Sequence, residues 1–538
     1  MNSKKISFSL IIIIIGLSLA SFRYDYFEIA KQIEIYNTLF KEINMSYVDK
    51  TNPAELMENG VTHMLSELDP YTIYSSEQDV ENAKIFRSGL YVGIGAKIKI
   101  INKKLVIDEP LKGLSADKAG LKAGDEIIKI NGTALLESFE QAEILLKGKK
   151  NTKVNITYKR GLKEQKVELI RGEKKPKAVP LYQMLEDNIG YIALESFSKT
   201  ASQEVESALK FLLIDEAKGL ILDLRNNPGG LLQEAVKIVN LFVKKDQLVV
   251  STRSNIEQYN NQFFTQKQPV SEDIPLVVLI NEKSASASEI VAGTLQDLDR
   301  AVIVGKRSFG KGLVQQPKQL PYGAQIKITI SRYFTPSGRC IQALNYGERT
   351  RSGKAKKIEN KNAFKTKNKR TVYDGGGINP DVVVGKLDKF NLISCLEKEN
   401  LIFEFVNNYC RKNKVENLND FNIDSSTFKA FKVFCLSRNF SLGTNTENAL
   451  EKVFDYTKEE KFNILEESLS QVKKSLKKEK ELALEQSKDI ISWKLSEQII
   501  KRTFYREGMY KYSLLKNKAI LKAKSILKDS NIYYSILE

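Results

Sequence analysis

A run of small side chains, Ser284-Ala-Ser-Ala-Ser288, follows the apolar stretch Leu276-Val-Val-Leu-Ile280 and opens a segment of helical spacing, Glu289-Ile-Val-Ala-Gly-Thr-Leu-Gln-Asp297. A hydroxyl at the mouth of a helix sees the positive end of the helix dipole, and neighbouring N–H groups can stabilise an oxyanion. Taken alone, the same serines serve equally well as N-caps. A serine nucleophile also needs a base, and the sequence holds one histidine, His63. It lies beside the apolar stripe Met57, Val61, Met64, Leu65 and Leu68 with no acid and nucleophile in evident relation to it, so it reads as a surface or half-buried residue. Lysine can serve instead where an apolar site lowers its pKa from about 10.4 towards neutrality. Lys311 stands between Gly310 and Gly312, which permit close backbone approach, and Gln315 on the same stretch could hold the amine by hydrogen bonding. The turn Leu222-Asp-Leu-Arg-Asn-Asn-Pro-Gly-Gly230 supplies further N–H groups for an oxyanion hole.

These residues need elements to carry them, and 538 residues exceed one compact core, so two to four domains are expected. With 42% hydrophobic and 28% charged residues the composition is that of a globular chain rather than a disordered one. The runs Gly190–Leu194, Gly219–Leu224, Leu276–Ile280 and Ala301–Val304 read as buried strands of an α/β core over 173–385. Before it, 23–85 reads as helical, with Phe27, Ala30, Ile33, Tyr36, Phe40 and Ile43 at helical spacing. Residues 386–538 are rich in Lys, Glu and Leu and read as a helical region without a chemical motif. Between 86 and 172 short alternating strands surround Ala119-Gly-Leu121, Gly124-Asp-Glu-Ile-Ile128 and Asn131-Gly132, which resemble the central motif of PDZ domains, small β-barrels with helices. Such domains add an extended C-terminal peptide to a sheet edge. The candidate carboxylate loop here is Tyr91-Val92-Gly93-Ile94-Gly95.

Several classes fall away. One His and no CxxC pair among Cys340, Cys395, Cys410 and Cys435 leave no metal site to propose. The cysteines read as buried thiols, with pairing as the alternative. Gly305-Lys-Arg-Ser-Phe-Gly-Lys-Gly312 approaches a phosphate loop but ends in Gly312 where magnesium needs Ser or Thr, and Leu313 onward reads as strand. Charges of 84 Lys/Arg against 66 Asp/Glu give a net +18, concentrated partly in a basic loop, 349–370, with ten cations and one acid, Glu359. This reads as a solvated face plus a flexible loop rather than a nucleic-acid surface, since no basic strand is interleaved with aromatics. At the start, Lys4 and Lys5 precede an apolar stretch from Ile6 to Phe22, and Ser18-Leu-Ala20 offers a cleavage site. Residues 1–22 read as a signal peptide, or as a retained single-pass anchor, so a periplasmic or otherwise extracytoplasmic location is expected.

Together Ser284-Ala-Ser-Ala-Ser-Glu289, Gly310-Lys-Gly312 with Gln315, Asp223-Leu-Arg-Asn-Asn-Pro-Gly-Gly230, Leu68-Asp-Pro-Tyr-Thr-Ile-Tyr74 and Gly375-Gly-Gly-Ile-Asn-Pro-Asp381 resemble the C-terminal processing (tail-specific) proteases. These are serine peptidases with a Ser-Lys dyad and an embedded PDZ domain. The resemblance spans roughly 24–386 and implies a multidomain fold: helical N-terminal segment, PDZ domain, α/β serine-protease core and helical C-terminal region. By position it makes Ser286 the nucleophile, Lys311 the general base and Gln315 the third member. Ala287 N–H with Gly229 or Gly230 N–H would bind the oxyanion, leaving Ser284 and Ser288 as turn and cap residues. It implies no cofactor. Its partners would be proteins with unstructured, apolar C-terminal tails. The amphipathic helical ends, 24–85 and 386–538, serve a homodimer, an adaptor or, more often, plain core packing. A PDZ scaffold with a silent protease fold is the alternative.

Overall fold

The computed structural model describes residues 26–538 apart from 78, 81–90, 135–141, 143–144, 175–176, 350–354, 359–360, 386–390 and 439. The expected leader, 1–22, lies outside the described residues. No described helix is long and apolar enough to cross a membrane.

The chain divides into two compact units, Met1–Glu77 with Gln315–Thr329, and Gln78–Val314 with Ile330–Glu538. The first holds a helix over 26–46 and the helix Pro53–Ser66. Pro53 enters that second helix where a missing N–H costs nothing, and Asn52 caps it by accepting from Glu55 N–H. His63 is exposed. Asp69 then folds its own turn, taking the N–H groups of Tyr71 and Thr72 at 2.8 Å each, and delivers Ile73–Ser75 to antiparallel pairing with Gln325–Lys327.

The second unit is built on a six-stranded sheet in the order Leu181–Leu185, Ile189–Ala193, Gly219–Asp223, Leu276–Ile280, Val302–Gly305, Val382–Val383; the first pair is antiparallel and the rest are parallel. A parallel sheet must be covered on both faces, and its strands read as continuous Val/Ile/Leu runs for that reason. Ile192, Leu220, Leu222, Leu276, Val278 and Ile303 face the helices Ala201–Ile214, Leu232–Asn240 and Ala287–Asp297. The alternate residues, among them Tyr191, Ile221, Val277, Leu279 and Val304, pack against Ala519, Ile520, Ala523, Ile526, Tyr533 and Leu537. The second layer therefore comes from the helices Lys518–Lys528 and Ser530–Leu537, and Tyr533 Oη fixes it by accepting Leu276 N–H at 3.0 Å.

The sheet domain resembling PDZ domains runs antiparallel in the order Ala96–Ile101, Lys104–Pro110, Glu126–Ile130, Lys153–Arg160, Lys163–Ile170. Its Gly124-Asp125 turn is explained by a bidentate pair, Arg160 Nε and Nη2 reaching the fully buried Asp125 at 2.8 and 2.6 Å. The helical region grips this domain. Arg506, on the helix Lys488–Lys516 that Tyr505 interrupts with a φ of 60°, reaches Glu109 at 2.7 Å and Glu195 of the core at 2.8 Å. Lys501 adds a contact to Glu109 at 2.9 Å, and Tyr505 Oη donates to Asp117 at 2.8 Å. Burial pushes the Glu109 carboxyl up, but Arg506 and Lys501 outweigh it and hold the group at about 2.

Two expectations change. The described part of 349–370 is not a flexible loop: Leu344–Arg349 pairs with Ala355–Lys357 and Ala363–Lys365 with Thr371–Tyr373. Its last cation is also not solvated, since Arg370 lies between Asp299 at 2.7 Å and Asp381 at 2.6 Å. All four cysteines are free thiols, and burial pushes Cys435 up to about 12.

The second layer yields a contrast between neighbours: Ile520 is 0% exposed on the sheet and Leu521 is 43% exposed. Ile520→Ala is expected to cost about 2–5 kcal/mol and Leu521→Ala less than about 0.5 kcal/mol in chemical denaturation. Equal costs would show that these helices do not cover the sheet.

Candidate active site

Three loops leave the carboxyl ends of three neighbouring parallel strands, Gly219–Asp223, Leu276–Ile280 and Val302–Gly305, the edge at which open α/β sheets bind ligands. The first loop is anchored where it starts: Asp223 accepts Tyr191 Oη–H at 2.7 Å and the Arg225 guanidinium at 2.5 Å. Asn227, fully buried, then ties this loop to the second. Its side chain donates to Leu194 O and accepts Gly229 N–H at 2.9 Å, while its carbonyl accepts Ala285 N–H at 3.0 Å and Ser288 Oγ–H at 2.9 Å.

On the second loop Ser284 donates to Leu224 O and accepts Asn281 N–H, closing the turn as expected of it. Ser286 is the N-cap residue of Ala287–Asp297, a helix buried throughout. Its backbone is far from the extended conformation caps usually adopt, with φ 57° and ψ −112°. That left-handed turn leaves Ser286 half-buried and presses its Cβ against the first loop. A Cβ on Gly229 would sit 2.9 Å from Ser286 Cβ and 3.0 Å from Ala287 N, so only glycine allows the approach. Gly229 is buried and Gly230 exposed.

The third loop brings half-buried Lys311. Gly310, at φ 88°, has no room for a side chain, because its Cβ would meet Ala343 Cβ at 2.5 Å and Gly377 N at 3.1 Å. Glu289, in the first turn of the helix behind Ser286, joins the two loops. Its Oε2 accepts Ser286 N–H at 2.8 Å and Lys311 N–H at 2.9 Å, and its Oε1 accepts Gly310 N–H at 2.7 Å and Ser308 Oγ–H at 2.6 Å. Burial pushes this carboxyl up from its ordinary value, and the Ser308 hydroxyl and three N–H groups pull the other way. Tyr333 Oη lies 2.5 Å from Lys311 O and 3.1 Å from Ser286 O, bridging the same two segments from another side.

Of the residues singled out from sequence, Ser286, Ala287 and Gly229 meet where the first two loops touch, Gly230 beside them packs on Phe197, and Lys311 follows on the loop that Glu289 ties to Ser286. Gln315 belongs to the other compact unit, where its Nε2 donates to Thr329 Oγ1 at 3.3 Å. Ser288 does not cap the helix but fastens it to Asn227. Val92 and Gly93 lie in a strand paired with Gly172 and Glu173, and Ile94 is wholly buried in the small domain's core. Gly95 turns at φ 76° into the outer strand Ala96–Ile101. The phosphate-loop reading fails on structure, because Leu313–Gln319 is a strand and no helix starts after Gly312. Asn227, Glu289 and Tyr333 were not singled out. For Glu289 a signal existed: Ser286-Ala-Ser-Glu289 has capping-box spacing.

Family models match three parts of the chain. Residues 188–347 match peptidase family S41, 92–170 the PDZ domain, and 392–527 the C-terminal helical domain of probable PDZ-proteases. A probable CtpA-like serine protease of Staphylococcus haemolyticus is 34% identical over 313 residues, 58% of this chain and 63% of that protein. One from Staphylococcus aureus is 33% identical over 305 residues, covering 56% and 61%. The chain thus spans 63% or less of the length of these relatives. A solved photosystem II D1 C-terminal processing protease aligns at 24% identity and a TM-score of 0.38, over 64% of this chain and 91% of that one. The chain therefore combines a segment matching peptidase family S41 with a PDZ domain and a PDZ-protease helical domain, and is similar over that span to CtpA-like serine proteases.

Proposed function

We propose that the chain hydrolyses peptide bonds through an acyl-enzyme, with Ser286 as nucleophile and Lys311 as general base. The observation that carries this reading is the strained N-cap turn at Ser286, pressed against Gly229 and tied through Glu289 to the segment of Lys311. Neutral Lys311 takes the Ser286 Oγ proton as Oγ bonds to the scissile carbonyl carbon, and the departing amine takes that proton as the C–N bond breaks. Water then attacks the ester and releases Ser286. Ala287 N–H is one oxyanion donor, at the positive end of the buried helix. Gly230 N–H is the better second donor, since Gly229 N–H is engaged by Asn227 Oδ1.

Substrates are exported proteins with unstructured, apolar C-terminal tails. The tail adds to the strand Ala96–Ile101, which is outermost in its sheet, and backbone N–H groups over Val92–Gly95 take the terminal carboxylate. The chemistry needs no metal or nucleotide, and any membrane attachment would come from residues 6–22.

Ser286→Ala and Lys311→Ala should each abolish cleavage of an unfolded protein with an apolar C-terminus, followed by intact mass, while melting stays cooperative. A fully active Lys311→Ala protein sinks the mechanism. Converting the substrate's terminal carboxylate to an amide should raise KM about tenfold or more with kcat unchanged, the mark of lost binding that is equal in ground and transition states. An unchanged KM would remove the carboxylate-reading role of Val92–Gly95.

A further inference from the structure

Glu289 is 0% exposed and is neither the nucleophile nor the base, yet it accepts the backbone N–H of both. We propose that Glu289 is the positioning residue of this site: its carboxylate fixes the separation of the Ser286 and Lys311 segments and holds Ser286 in its left-handed turn. The proposal rests on the Ser-Lys reading above.

Four donors converge on two oxygens, and the division between them matters. Oε2 alone bridges Ser286 N–H and Lys311 N–H, while Oε1 ties Gly310 N–H and the Ser308 hydroxyl. Ser308 Oγ in turn accepts Ile378 N–H at 2.6 Å, so the Gly375–Ile378 turn is fastened to the same carboxylate. Every group facing the carboxylate in these contacts is a donor, which suits an ionised acceptor. A residue in Ser286's conformation persists only where its surroundings over-determine it. Here Glu289 holds its N–H and Asn227 holds the adjoining Ala285 N–H.

Glu289→Gln is the informative change, since it keeps the shape and turns one acceptor into a donor aimed at donors. In the full chain it should lower kcat about 100-fold, the cost typical of misplaced reacting groups, with KM within twofold of the parent. Hydrogen exchange, measured without substrate, should quicken at least tenfold at the Ser286, Gly310 and Lys311 amides and stay unchanged in the interior of Ala287–Asp297. Ser308→Ala, which removes only the outer tie, should give a smaller loss of the same kind, and it carries both readouts if the Gln variant does not fold. Faster exchange with kcat intact overturns the proposal. So does a fall in kcat without opening of these amides, or a KM that rises in step with the loss. Cleavage by Ser286→Ala would instead remove the Ser-Lys reading, and the substrate-free exchange result would still show whether the carboxylate makes the tie.

Discussion

A carboxylate taken fully out of water is costly unless every lone pair it presents is met. Glu289 meets that condition only when the turn at Ser286, the loop at Gly310 and Lys311 and the hydroxyl of Ser308 arrive together. The constraint is cooperative: no one of these segments can leave without stranding a buried carboxyl oxygen. Asn227 does similar work with neutral groups, binding the Gly-rich turn to the start of the same helix. The loops at the strand ends thus behave as one body, although they come from distant parts of the sequence.

Attachment of the PDZ domain follows different physics. Part of its junction with the helical region is apolar, with Ile101 and Val106 against Phe403, but much of it is charged, centred on Glu109, Lys501 and Arg506. Arg506 is shared with Glu195 of the core, so three parts of the chain meet at one guanidinium. These groups are partly buried and hence less screened than surface pairs. The core loops are held by groups shut away from solvent, the PDZ domain by groups that solvent and salt can still reach.

Much of this was legible in the sequence because backbone constraints select residue types. The glycines at 229 and 310 mark places where no side chain fits, and the Val/Ile/Leu runs mark strands buried on two faces. What a stripe covers is less legible. The apolar face of 518–537 shows amphipathic helices but does not name the sheet beneath them. Lys/Arg runs default to solvent, so nothing near Arg370 announces that Asp299 and Asp381 await it. Glu289 was half visible: its capping spacing ties it to Ser286, while its bonds to Gly310 and Lys311 depend on a strand order that local sequence does not encode.

The late origin of the second helical layer bears on how the molecule is made. The sheet's strands are complete by Val383, but the residues that cover one face of them are 519–537. During synthesis, a nascent chain stopped anywhere between those points carries Ser286 and Lys311 on a sheet with one bare apolar face. Such contacts of high sequence separation form slowly. A ribosome-bound intermediate would therefore present that face to chaperones until the helices that close the sheet have emerged.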